Sequence, residues 1–259
     1  VSVGQTLNLD VDAYPGEVML NAQFEAYLAN RGQVLLRGAH IGRYEFHREP
    51  KQGEPAHLNV EKYRRDKQDE GKAGHHLRPR MGYQRGSAID NYRRLIACWI
   101  EPGQFCTDTV GYVVEPRADM HAVLAWFNCA LSEWRFGRTS TNNHVNAYEV
   151  EAIQFPQFDL QASSQAQGRA KKTTDDKDGL RKLITNSDGV ARLESDVFDT
   201  IAKVRPEQAA WPSAVHDGLA ILAEELCRLG LEKEDAQVAF TADLAKKVDC
   251  PDLEDWTGS

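Results

Sequence analysis

The chain has 259 residues, 41% of them hydrophobic, and 31 Lys and Arg against 39 Asp and Glu give a formal net charge of −8. That size and apolar content suit one or two soluble domains. No apolar run is long enough to span a bilayer, and the first residues lack the basic-then-apolar profile of a secretory leader, so a cytoplasmic protein without a membrane partner is expected. The five cysteines, Cys98, Cys106, Cys129, Cys227 and Cys250, are odd in number and scattered without C-x-x-C spacing. This argues against a disulfide scaffold or a cysteine-ligated metal and predicts reduced thiols.

Charge is unevenly spread. Residues 1–158 carry 18 basic and 19 acidic side chains, whereas 159–259 carry 13 and 20, so nearly all the excess negative charge lies in the C-terminal part. Residues 51–94 hold 11 basic against 6 acidic side chains, among them Lys62, Arg64, Arg65, Lys67, Lys72, Arg78, Arg80, Arg85, Arg93 and Arg94. On its own such a stretch is either a solvated surface or a polyanion contact.

In chain order, Leu20, Phe24, Tyr27 and Leu28 recur at helical spacing and predict a helix ending at Gly32. Gln33–Gly38, Arg94–Ile100 and Gly111–Val114 have strand composition, the last two set off by Pro102-Gly103 and Pro116. Asp119 is an N-cap candidate for a single helix whose stripe runs through Met120, Val123, Leu124, Phe127, Leu131 and Trp134 to Gly137, with Trp126, Phe127 and Trp134 in the core. Residues 161–179 offer no apolar side chain larger than alanine and are read as exposed, within a linker or long loop over 159–179.

Beyond it the pattern is helical. Val190, Leu193, Val197, Ile201 and Val204 form one stripe, stopped by Pro206. Val215, Leu219, Leu222, Leu226 and Leu229 form a seam from a Ser213 N-cap to Gly230, and Phe240, Leu244 and Val248 mark a third helix. The expected fold is α+β: a mixed sheet-and-helix domain over 1–158, then a small helical region over 180–259 that packs on the first part or is presented to a partner.

Some chemistry is missing. A methyltransferase acting on an exocyclic amine needs a glycine-rich cofactor loop and an Asn-Pro-Pro-Tyr type motif that grips the base; neither occurs. Glu70-Gly71-Lys72 has the E-x-K spacing of a metal-dependent nuclease but lies in a charged run without strand pattern. Adjacent His75 and His76 lack a partner at ligand spacing, which suits contact with phosphate or bases better than metal.

Three segments carry a resemblance. Leu35-Leu36-Arg37-Gly38-Ala39-His40-Ile41-Gly42-Arg43-Tyr44 is similar to the first strand and turn of TaqI-like C-terminal specificity domains. His75-His76-Leu77-Arg78-Pro79-Arg80-Met81-Gly82-Tyr83-Gln84-Arg85, with Arg93-Arg94-Leu95-Ile96-Ala97, resembles that family's "P-R-I-x-x-Q" and "R-x-I-A" segments. Leu124–Phe136, then Thr139-Ser140-Thr141-Asn142-Asn143-His144-Val145-Asn146, resembles the "L-L-N-S-K-L-x-x-W-R-F" helix and "T-S-T-N-N-x-V" loop of target-recognition domains in fused restriction-modification enzymes. The resemblance spans about residues 15–158, in the family's order. It departs at Phe127–Leu131 and at Met81, where isoleucine is usual.

The resemblance implies a sequence-specific DNA recognition module of a bacterial restriction-modification or phage-defence adenine methyltransferase, positioning the site for a catalytic domain or subunit outside this chain. No catalytic residue or metal ligand is then assigned here. S-adenosylmethionine, and Mg2+ if the parent also cleaves, belong to the catalytic part. Bases are read in the major groove by Arg, Asn and Gln, while phosphate contacts set register. The expected double-stranded DNA contacts are Arg37, His40, Arg43, Arg64, Arg65, His75, His76, Arg78, Arg80, Gln84, Arg85, Arg138, Thr139, Ser140, Thr141, Asn142, Asn143, His144 and Asn146. Arg78, Arg80, Gln84 and Arg85 are candidate base readers; the Thr139–Asn146 loop either reads DNA or caps the preceding helix. A competing reading is a protein-interaction module that binds a partner subunit through its leucine seam.

Overall fold

The computed structural model describes residues 6–8, 11–21, 23–50, 52–87, 90–116, 118–156 and 211–248. The elements are β1 (Thr6–Asn8), β2 (Ala13–Pro15), β3 (Leu28–Ala29), β4 (Gln33–Leu36), β5 (His57–Leu58), α1 (Val60–Lys67), β6 (Arg80–Gln84), β7 (Ala97–Ile100), β8 (Phe105–Cys106), β9 (Val110–Val113), α2 (Met120–Phe127), α3 (Ala130–Thr139), α4 (Ala147–Glu151), β10 (Gln154–Pro156) and α5 (Trp211–Val248). One four-stranded sheet has the order β2-β9-β6-β7, a second β3-β5-β4-β8, and β1 pairs with β10. The fold is α+β. No helix among the described residues is long and apolar enough to cross a membrane.

Alternation along β6 organises the interior, because successive side chains of a strand face opposite sides of its sheet. Met81 and Tyr83 enter one core cluster with Val123, Leu124 and Phe127 of α2. On the opposite face, Cys98, Ile100, Val110 and Tyr112 of the first sheet meet Leu36 and Cys106 of the second. A third cluster, Leu35, Leu58, Phe105 and Tyr63, lies between the second sheet and α1. Register matters here: Tyr83 is paired with Gly111, where a Cβ would fall 2.1 Å from the Tyr83 ring, so only glycine lets the phenol lie across β9.

The expected helix through Leu20 and Leu28 does not form. That segment holds a 3-10 turn, Glu25–Tyr27, and then β3, whose Leu28 and Ala29 pair with Leu58 and His57. Strand pairing and the packing of Phe24, Tyr27 and Leu28 on the third cluster override a short amphipathic pattern.

The single helix expected from Asp119 to Gly137 is broken in two. Asp119 caps α2 as predicted, its side chain accepting from the His121 N–H. At Asn128 the side-chain amide exchanges two hydrogen bonds with the backbone of Ala97, at 3.0 and 2.9 Å, imitating a neighbouring strand. Cys129 then takes extended geometry, and its Sγ accepts from Ser132 N–H. The break rotates α3. Ser132 and Phe136 turn inward, and Glu133 accepts the backbone N–H groups of Arg94 and Leu95 at 2.9 and 2.7 Å. Trp134, expected in the core, is therefore 60% exposed and Leu131 58%, whereas Phe127 is buried and Trp126 partly so.

The tail differs as well. The two helices expected from Ser213 to Gly230 and around Phe240 are one continuous α5, so Ser213 is interior rather than a cap and Gly230 terminates nothing. The helix packs on α2, with Ala220 and Ala223 buried, Leu219 and Cys227 against the first core cluster, and Gly230 against the Tyr44–Glu45 turn. Small residues permit this close approach; a Cβ at Gly230 would sit 3.0 Å from the Tyr44 carbonyl oxygen. Leu226 and Leu229, expected in the seam, are 41% and 46% exposed. Ion pairs from Lys233 to Glu45 at 2.9 Å and Arg48 to Asp235 at 2.7 Å fix the helix further along. The 159–179 linker, the Val190–Val204 stripe and the Val215 side chain lie outside the described residues.

Candidate nucleic-acid interface

Two segments far apart in sequence meet at the end of the first sheet where β6 runs out. The β6–β7 connection begins at Arg85, and the α3–α4 loop runs from Ser140 to Asn146. Val145 N–H donates to the Arg85 carbonyl at 2.8 Å, Ser87 N–H donates to the Asn143 carbonyl at 3.1 Å, and Gly86 forms an antiparallel bridge with His144. Buried Val145 and Ser87 anchor this seam from below. Asn143, His144, Thr141 and Gly86 remain exposed along it, and Asn91 and Tyr92 stand exposed in the same connection.

Each end of the α3–α4 loop is fixed locally. Thr139 returns its hydroxyl to the Arg135 and Phe136 carbonyls, so it caps α3. Asn146 caps α4 in a reciprocal arrangement with Glu149, whose Oε2 accepts the Asn146 N–H at 3.0 Å. Asn142 donates to the Tyr148 hydroxyl at 2.9 Å and to Glu149. Beneath the loop lies Arg94, 2% exposed, its guanidinium 4.8 Å over the Phe136 ring and donating to the carbonyls of Ser140 and Asn142. Ser140 is buried here. Thr139, Ser140, Asn142 and Asn146 thus shape the loop, and Thr141, Asn143 and His144 are presented.

The remaining predicted contacts divide by environment. Arg80 is fully buried: its register sends it to the face between the two sheets, where it pairs with Glu17 at 2.9 Å, donates to the Gln104 carbonyl and lies 4.7 Å over the Tyr112 ring. Burial disfavours its charge, but Cys106 and Glu17 outweigh that and its pKa is raised. A guanidinium so placed offers no donor to a base edge. His76 is also buried, 4.3 Å from the Phe105 ring, and His75 sits against Tyr14 with a 3.1 Å hydrogen bond to the Tyr112 hydroxyl. Burial, then neighbouring Arg80 and Arg78, depresses the His75 pKa. His40 is buried with Nδ1 accepting the Arg37 N–H, and burial depresses its pKa.

Gln84 and Arg85 are half-buried. The Gln84 amide donates to the Ile41 carbonyl at 2.6 Å and Arg85 to the Asp108 carbonyl at 2.6 Å, so both hold neighbouring turns. Arg37 donates to the Glu54 carbonyl at 2.8 Å. Among exposed cations, Arg64 pairs with Asp69, Arg65 with Asp66 and Arg78 with Glu115. Arg43 lies 5.5 Å over the Tyr44 ring and Arg138 5.1 Å over that of Trp134. Lys72 is not part of an E-x-K site: its ammonium donates to the Gly16 carbonyl at 2.9 Å, and burial lowers its pKa.

Among the described residues, no group of three or more His, Cys, Asp or Glu side chains is placed to hold a metal ion. No protein-family model matches the chain, and no curated protein matches it. The exposed Asn91 and Tyr92 beside the reading loop, and Trp134 and Arg135 on α3, were not among the sequence candidates. The turn composition Gly86-Ser87 and Asp90-Asn91 signals the first pair; nothing in the periodicity signals the second.

Proposed function

We propose that the chain is a double-stranded DNA recognition module of a bacterial restriction-modification or phage-defence adenine methyltransferase, selecting the site for a catalytic partner that supplies S-adenosylmethionine chemistry. The observation that carries the reading is the junction of Arg85–Ser87 with Asn143–Val145, which joins two of the three segments that carry the resemblance into one exposed surface of Asn143, His144 and Thr141. A rigid scaffold under polar loops is what base readout requires, since a bidentate contact is sensitive to small displacements. Arg94 supplies that rigidity from below. Selection from randomised duplexes with the full chain should enrich one short sequence. Recovery of a pool no different from the input would overturn the reading.

A second reading, a module that binds a partner protein through its tail, is favoured by one observation: Leu226 and Leu229 of α5 face solvent. The two readings are compatible, because a specificity module also needs a surface that meets the catalytic part it serves.

A further inference from the structure

The basic stretch of residues 62–94, where sequence places the phosphate contacts, has most of its charge committed within the fold. Arg64, Arg65 and Arg78 sit in ion pairs, Arg80 is buried on Glu17, and Arg94 is buried under the loop. Helix α3 differs. Its positions 131, 134, 135 and 138 recur at i, i+3, i+4 and i+7 and share one face. Because the break at Asn128 turns the helix over, that face is exposed: Leu131, Trp134, Arg135 and Arg138. The only carboxylate on α3, Glu133, is bound to backbone N–H groups of Arg94 and Leu95. Among the described residues, neither Arg135 nor Arg138 is ion-paired, while Arg138 stacks on the exposed indole of Trp134.

We infer that this outward face of α3 is the principal phosphate-binding surface of the protein, with Arg135 and Arg138 meeting the backbone of a DNA duplex and Trp134 holding Arg138 in place. The inference rests on the DNA reading above. Geometry favours a duplex over a protein partner: Arg135 and Arg138 occupy the C-terminal end of α3, next to Ser140 where the α3–α4 loop begins. A duplex seated on Asn143 and His144 extends naturally over that end of the helix. Stacking lowers the entropy lost when the Arg138 guanidinium is fixed on a phosphate, and it leaves the N–H edge free to donate. Two neighbouring cations without an ion pair on one helix face also favour the approach of a polyanion to that face.

The test is the salt dependence of binding by the full chain to a mixed-sequence duplex, read by fluorescence anisotropy between about 50 and about 200 mM salt. Arg135→Gln with Arg138→Gln should lower the salt slope by about two and weaken binding to every duplex alike. Arg135→Lys with Arg138→Lys should keep the slope. Trp134→Leu should weaken binding with an unchanged slope, because the charges remain. These side chains are exposed, so the melting temperature reports whether each variant stays folded. An unchanged slope in the double Gln variant, with wild type binding, overturns this inference alone. Absence of any wild-type binding overturns the DNA reading beneath it. Loss of self-association in sedimentation velocity, without loss of DNA affinity, would assign the face to a protein interface and overturn the inference.

Discussion

Arg94 and Asn142 are bound side chain to backbone: the buried guanidinium of Arg94 donates to the Asn142 carbonyl while also reaching that of Ser140. A charged group beneath the loop therefore sets the shape in which it presents Asn143 and His144. Arg94→Lys keeps the charge but cannot serve two carbonyls in a planar fork, and it should lower stability by about 1–3 kcal/mol. Amide hydrogen exchange should quicken at Ser87 and Val145, whose N–H groups close the junction. Unchanged exchange there would show that the loop keeps its shape without Arg94.

Arg80 and Glu17 form an ion pair with side-chain exposures of 0% and 1%. Removing one partner strands the other charge, so Arg80→Ala and Glu17→Ala should each cost about 3–5 kcal/mol, measured by denaturant unfolding. The double change to Met and Leu should cost less than the sum. A loss of DNA discrimination by Arg80→Ala without loss of stability would return Arg80 to the reading surface.

Asn143 and His144 are the exposed members of the junction, and their side chains do not hold the loop ends. Asn143→Ala should cost roughly 1–3 kcal/mol on the selected sequence and little on unrelated duplexes. Asn142→Ala should instead reduce stability, since its amide ties Tyr148 and Glu149. Competition binding and thermal melts together separate the two effects.

Helix α5 offers a contrast within a single element. Ala223 is fully buried against the body, so Ala223→Glu should destabilise by several kcal/mol, on the order of the cost of an unpaired buried charge. Leu229→Asp, on the exposed side, should shift stability by no more than about 0.5 kcal/mol. A large loss at Leu229 would mean that the leucine face is covered in the isolated chain.

His40 and His75 both have folded-state pKa values below the ordinary 6.5, in each case chiefly through burial. The unfolded chain then binds more protons than the folded one as pH falls below 6.5, so stability is full above that value and declines beneath it. Melts from about pH 8 to about pH 5 should show the decline, and His40→Gln should reduce it. A flat profile in wild type would mean that both imidazoles titrate as in solvent.

Local patterns in the chain determined a good deal by themselves. Strand composition bounded by Gly and Pro marks Gln33–Gly38, Arg94–Ile100 and Gly111–Val114, and capping chemistry marks Asp119; the structure has strands within or overlapping those stretches, at Gln33–Leu36, Ala97–Ile100 and Val110–Val113, and the Asp119 cap. The α+β class follows too, because mixed periodicities in the first part precede a helical tail. Only the tertiary structure decided which side chains face outward. The stripe from Met120 to Trp134 is continuous on paper, but Asn128 bonds to the Ala97 backbone, breaks the helix and turns Trp134 into solvent. A hydrophobic pattern records which residues can be buried, not which face a neighbouring element will occupy. The same reason separates Arg80 from Arg138: the two cations are alike in sequence, yet the pleat of β6 sends one between two sheets onto Glu17 and the rotation of α3 sends the other to the surface. Partners distant in sequence made that choice, and no local window of the chain contains them.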